Sequence, residues 1–503
     1  MQKIKNLKEK LNKHLSKIKD DLVVDKANAV EWIVLGILLL MITLTLYYID
    51  NMVMFLNCYW INESLFRDGS ILLLGNNRLP YGLVQQWFCS IWLLPINIIQ
   101  RFYPFEIANT LTVTWFKLSM VVAMTLCMSE MIKIGHVLGM TKDRIRWMMI
   151  MFCSTILVAL PVFHIAQSDI LYAYLCLIGI RAFFEDDVKR FIIFFALAIS
   201  CKVLAVVVFV PLVLLREKRI LYIIRDGFLG VMILGIERIW YRIVEKIDVL
   251  ITGRSQILTA EKDMVVDGVN TTVTTTVDQA NTDFFSHFYH KALFFEFPAI
   301  RKGYVASVLV FVFVLFCIWC YTQKKETGTL WNHKCLYAVS VAWILFFINT
   351  SPSPYWIVAL YPGLFLLIFL QPDRIRTNML LQNTFTLTMF VVYVVNTDWV
   401  YGGPSNLDFL LLKGLLKEGH DSNNGPAVAR YLNNLGIESV MNVITAVCLA
   451  AAVGLIVINY HKVKVDEELS DVEERKLMHG FAIWQIGLLA VWYVINVWVV
   501  QRW

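Results

Sequence analysis

The chain has 503 residues, of which 58% are hydrophobic and 17% charged, and a mean hydropathy of +0.62. A water-soluble fold of this size cannot cover its surface with so few charges, which excludes soluble enzymes and nucleic-acid binders. The net charge of +6 is small, so the placement of the charges says more than their sum.

The first 28 residues are polar and Lys-rich, too long and too charged to precede the apolar core of a cleavable signal. Ile4, Leu7, Leu11, Leu15, Ile18 and Leu22 recur at helical spacing between lysines. That pattern fits a cytoplasmic amphipathic helix on an anionic leaflet, or a solvated tail. Nearly uncharged runs long enough to cross a bilayer follow at 32–49, 147–165, 304–323, 335–350, 355–370, 379–396, 440–460 and 480–500. Weaker candidates at 107–131, 169–183, 221–237 and two short pieces within 189–216 bring the expected total to about thirteen spans. The expected fold class is an all-α polytopic membrane protein whose external loops and interfacial helices form a cap.

With a cytoplasmic N-terminus, the segments 1–28, 132–146, 184–190, 216–219, 324–334, 372–377 and 461–476 fall inside. They carry Lys and Arg at about three times the density of the outside segments, as the positive-inside rule requires. This parity needs 189–216 to cross in and back within a stretch too short for two full crossings. Two broken helices meeting at Lys202 satisfy it, and such helices usually line a cavity. The long segments 50–106, 238–303 and 397–439 are then all external. The middle one holds "VVDGVNTTVTTTVDQANTD", read as flexible.

Asp50 ends the first span, Asp169 opens another in "AQSDILYAYL", and Asp68 lies farther along the first external loop. A lone carboxylate at a helix end is commonly an interface marker. Several that converge with cations form a functional hypothesis, and Arg78, Lys202, Arg238 and Arg242 are expected on the same side. Each of these cations could instead be an interfacial anchor.

The order of these features resembles the GT-C class of integral membrane glycosyltransferases, which use polyprenyl-phosphate sugars. The likeness is carried by Asp50, "FL" at 55–56, Trp60, Gly69 and "RLPYGLVQQWF" at 78–88. It continues through "KIGHVLGMTKDRIRW", "AQSDILYAYL", "ALAISCKVLAVVVFVPLVLL" and "REKR", and covers 30–220 and, less fully, "SPSPYWIVALYPGLFLL" within 335–371. The charged residue that often precedes the Tyr-Pro element in that class is missing here.

The resemblance implies a chain divided into the cytoplasmic segment 1–28, a catalytic membrane module 29–236, an external loop 237–303 and a second membrane module 304–503. It implies inverting transfer on the extracytoplasmic face of a cell membrane, to a glycan, lipid or protein acceptor. Asp50 is expected as base, with Asp169 orienting the acceptor or a metal, or assisting. Lys202 and Arg78, then Arg238 and Arg242, would receive the donor phosphate. Asp68, Gln167, Trp60, Tyr81 and Tyr355 are expected in support. These residues identify no cofactor with certainty, and a divalent metal is left open. A transporter or flippase of lipid-linked sugar, a glycan polymerase and a non-catalytic partner of an export complex are the competing readings.

Other motifs are read as structural. "HFYH" at 287–290 fits an interfacial helix better than a metal pair, Cys317 and Cys320 are packed thiols, and His164 is a packed or hydrogen-bonded histidine. Asn62, Asn270 and Asn349 begin Asn-x-Ser/Thr triplets, which matter only in a secretory membrane.

Overall fold

The computed structural model describes residues 28–46, 54–56, 58–63, 82–105, 110–252, 259–266, 269–276, 294–296, 305–326, 328–350, 353–396, 434–460 and 471–496. The described residues are predominantly helical. Two short antiparallel pairs are the exceptions: β1 (Thr259–Val266) with β2 (Val269–Thr276), and β3 (Phe294–Glu296) with β4 (Val305–Ser307). Part of the Thr-rich stretch expected to be flexible therefore forms a hairpin, consistent with the β-preference of its Thr and Val residues.

The N-terminal half contains α1 (Ala29–Thr45), α2 (Leu83–Phe102), α3 (Thr110–Val137) and α4 (Lys142–Ser154). α5 (Ile156–Ala159) runs into a π-turn at Leu160–His164, and α6 (Asp169–Phe184) and α7 (Val188–Cys201) follow. A 3₁₀ turn at Val203–Ala205 leads into α8 (Val206–Arg216), then α9 (Ile220–Thr252). The C-terminal half contains α10 (Val308–Thr322), α11 (Thr329–Asn349), a 3₁₀ turn at Pro354–Ala359, α12 (Leu360–Phe369), α13 (Ile375–Asn396), α14 (Glu438–Asn459) and α15 (Asp471–Val494).

Five of these helices are long and apolar enough to cross a membrane, or six if α4 and the α5 segment, bent by 68°, count as one span. Shorter apolar helices, α1, α8, α10 and α12 among them, pack beside them. This is the build of an integral membrane protein. The count stays below the expected thirteen because several predicted crossings are short or broken pieces, each under the roughly 20 residues a full crossing needs.

One end of the bundle gathers the basic turns. Arg181 Nε lies 2.7 Å from Glu130 Oε2, joining α3 to α6, and Arg144 pairs with Glu474 at 3.2 Å, joining α4 to α15. Lys325 pairs with Asp186, and Lys218 Nζ donates to the Cys320 carbonyl at 3.1 Å. His479 contacts Glu31 at 2.5 Å, which brings the start of α1 to the same end. Within the "REKR" turn, the Arg219 guanidinium and nearby backbone amides hold the Glu217 carboxyl down at about 2. Among the described residues, the basic turns after α3, α6, α8 and α10 thus gather at one end with the starts of α1 and α15.

Charge parity also anticipated the in-and-back course of α7 and α8. The Arg216 guanidinium sits 4.7 Å from the Phe191 ring, and the Phe209 ring stacks on Phe191 at 5.5 Å and lies tilted against Phe195 at 5.3 Å. The start of α7 and the end of α8 therefore lie at the basic end, with Lys202 at the opposite end. α9 returns antiparallel and continues beyond the expected span 221–237, so Arg238 and Arg242 lie on a helix and not in a loop.

α2 is amphipathic in an inverted sense. Gln85, Gln86, Ser90 and Asn97 are buried, whereas Trp87, Ile91, Ile98 and Phe102 are exposed. A polar inner face and an apolar outer face suit a helix that covers a polar interior and meets lipid outside. Trp92 and Trp115 staple it to α3: each indole N–H donates to the other's carbonyl, at 2.8 and 3.0 Å, with the rings stacked 5.0 Å apart.

Candidate functional site

The site is built on two interruptions of helix. In the first, α5 widens into the π-turn, and Ala166 takes a φ of 54°, a left-handed conformation rare for a residue with a Cβ. The Gln167 amide donates to the Pro161 carbonyl at 2.9 Å, and α6 then starts with Asp169 fully buried. In the second, Lys202 is extended and ends α7 before the 3₁₀ turn that leads into α8.

The Lys202 ammonium is hydrogen-bonded and ion-paired to Asp169 Oδ1. Trp356 covers it with a ring centroid at 4.2 Å, and the Tyr355 and Tyr172 rings lie at 5.8 and 5.9 Å. The Tyr172 hydroxyl donates to the Trp356 carbonyl at 3.2 Å, fixing α6 to the 3₁₀ turn. An ammonium out of water needs a counter-ion and π-faces, and this one has both. Asp169 Oδ2 is buried without a hydrogen-bond partner among the described residues, so the carboxylate keeps an acceptor to offer. Beside it, Gln85 of α2 donates to the Ser168 hydroxyl.

The turn before α2 docks onto the Lys202 junction. The Gly82 amide donates to the Cys201 carbonyl at 3.2 Å. Glu237 of α9 accepts from the Leu83 amide and the Ser200 hydroxyl, both at 2.7 Å, and so fastens α2, α7 and α9 together. Gly82 packs against the Ser200 backbone so closely that a Cβ there would lie 1.4 Å from the carbonyl oxygen.

Lys117 of α3 is fully buried and donates to the Thr43 and Leu46 carbonyls at 2.6 and 2.7 Å. A cation on the last carbonyls of a helix is favourable to the helix dipole, and Lys117 closes α1 four residues before Asp50 in the chain. Lys117→Met is expected to fray that turn and raise hydrogen exchange of the Leu46 amide by about tenfold. An unchanged exchange rate would show that α1 ends without it.

Of the expected site residues, Asp169, Lys202, Gln167 and Tyr355 are buried or nearly so, and the first two are in direct contact. Asp50, Asp68, Arg78 and Tyr81, and the side chain of Arg242, lie outside the described residues, as does "HFYH". Trp60 is half exposed and packs edge-on against Tyr59, while its short helix turns Tyr59 and Asn62 inward. Arg238 is exposed, since α9 spends its inward position on Glu237.

Sequence reasoning missed Trp356, Tyr172, Gln85 and Glu237. The aromatic pair in "SPSPYW" was the available signal for Trp356; nothing local marks Glu237. Asn62 and Asn349 are buried with their amides committed, to Ser90 and Asn97 and to Leu345, so neither is open to modification in this fold. His164 is buried, and Cys317 and Cys320 are free thiols. Among the described residues, no three His, Cys, Asp or Glu side chains cluster in a way that could hold a metal ion.

Compared with known protein families, curated proteins and solved structures, the chain matches none.

Proposed function

We propose that the protein is a membrane glycosyltransferase of GT-C type, moving a sugar from a polyprenyl-phosphate donor to an acceptor on the face opposite the basic end. The observation that carries this reading is the Asp169–Lys202 pair, set at the junction of two broken helices and walled by Trp356, Tyr355 and Tyr172. A buried carboxylate beside a buried cation, with aromatic faces at the sugar-binding scale, supplies what such a transfer needs.

In the proposed reaction the acceptor hydroxyl oxygen bonds to the anomeric carbon as the bond from that carbon to the phosphate oxygen breaks. The hydroxyl proton passes to a carboxylate, with Asp50 as first choice and Asp169 as its alternative or assistant. The lipid phosphate leaves with the bonding electron pair and is already anionic, so it needs a cation and not an acid. Lys202 is that cation, and its exchange from Asp169 to phosphate would free the carboxylate for the acceptor. Arg78 would complete the phosphate site. With the basic end in the cytoplasm, transfer would occur on the extracytoplasmic side.

Purified wild-type protein and Asp50→Asn are to be given a labelled polyprenyl-phosphate sugar with candidate acceptors. Transfer by wild type and a loss of about 10²–10⁴-fold in the variant are expected. Undiminished transfer in Asp50→Asn would move the base role to Asp169. Substrate flux across liposomes without any transfer would replace the whole reading with a transporter.

A further inference from the structure

Away from the Asp169 region, a cleft of about 510 Å³ runs between α13 and α15. Both helices are long and apolar enough to cross a membrane; α15 starts at the basic end, and α13 runs parallel beside it, with Asn383 level with Gln485 and Phe390 with Trp492. Leu380 and Leu387 line one wall, and Leu477, Phe481 and Trp484 the other. From Lys476 to Trp484 the cleft follows α15 for about 12 Å along the helix axis. Its volume is in the range of sites that take small ligands, about 300–1,000 Å³.

Two features distinguish this cleft from an ordinary lipid-facing seam. The first is its floor. Asn383 lines it, is buried, and accepts from Gln485 Nε2 at 2.9 Å. Gln485 in turn accepts from the Ser154 hydroxyl at 2.7 Å, at the last residue of α4 before the 68° bend. A polar chain from α4 through Gln485 therefore ties down the floor of the cleft. Gly480 widens it, since a Cβ there would meet nothing within 4 Å.

The second is its charge. Lys476 lines the cleft at its basic end and is exposed, and Arg376 lies one turn before Leu380 on α13, also exposed. An apolar slot with cations at one mouth, level with a membrane surface, is complementary to a lipid with an anionic headgroup and one chain in the slot. A neutral or soluble ligand would leave either the cations or the apolar walls unused.

We propose that this cleft is a binding site for an anionic phospholipid, its chain between α13 and α15 and its phosphate at Lys476 and Arg376. The site is separate from Asp169 and Lys202 and holds whatever the reaction proves to be.

The test uses the full chain in phosphatidylcholine vesicles containing a phosphatidylglycerol with a photoreactive group on its chain. Peptide mass spectrometry should find cross-links at Leu380, Leu387, Phe481 or Trp484. Gly480→Trp puts a bulky ring into the slot from a position where a Cβ meets no atom within 4 Å, and should lower them about tenfold. Lys476→Ala should remove the preference over the matching phosphatidylcholine probe while leaving chain insertion. Cross-links spread evenly over the apolar belt and unchanged by Gly480→Trp would overturn the proposal, as would equal labelling by the two headgroups in wild type. Absence of labelling in the cleft would do so as well.

Discussion

Lys202→Met is expected to destabilise the protein by about 3–5 kcal/mol, because it leaves the Asp169 carboxylate buried without its counter-ion. The methionine keeps the stem packed among Trp356, Tyr355 and Tyr172, so the loss reports the charge and not a cavity. Adding Asp169→Asn should restore much of that stability, since a neutral pair needs no desolvated ion. Thermal unfolding followed with a thiol-reactive dye suits the measurement, because every cysteine except Cys317 is buried and becomes reactive on unfolding. The double variant also separates stability from function: it should be well folded and still inactive in transfer. If the double variant were as unstable as the single one, the two charges would not be coupled, and the pair would lose its place at the centre of the site.

Gly82→Ala should have the next largest effect. The new methyl would lie 1.4 Å from the Ser200 carbonyl oxygen, which is backbone and cannot swing aside. The start of α2 must then move off the α7–α8 junction, weakening the Gly82–Cys201 and Leu83–Glu237 hydrogen bonds. A cost of about 1–3 kcal/mol is expected from overpacking alone. Protection of the Gly82 and Leu83 amides against exchange should fall further than that of α13 or α14, which α2 does not hold. Tyr81 and Arg78 precede Gly82 in the chain, so transfer activity should fall beyond what lost stability explains. Wild-type protection and activity in Gly82→Ala would show that the close approach is not needed.

The grouping of the basic turns was legible because it follows from charge. Lys and Arg avoid one membrane surface, so counting them along the chain grouped turns that the fold joins through Arg181–Glu130, Arg144–Glu474 and Lys325–Asp186. The break at Lys202 was legible for a related reason: a stretch too short for two crossings had to be two short helices. The number of full spans was less legible, because an apolar run does not state whether it is one straight helix. Thr155 bends α4 from α5, and α9 runs on past its apolar part to Thr252.

By itself the sequence determined the membrane class, the grouping of the basic turns and the candidacy of Asp169 and Lys202. Composition and charge spacing are properties of the chain that every conformation shares. Only the tertiary structure decided that those two side chains meet, that Trp356 lies nearer the ammonium than Tyr355, and that Glu237 and Gly82 lock α2 to the junction. It also decided that Trp60 is half exposed and that Lys117 closes α1. Contacts between residues far apart in the chain, as Lys117 is from Leu46 and Tyr172 from Trp356, depend on how helices pack, and no local pattern encodes that choice.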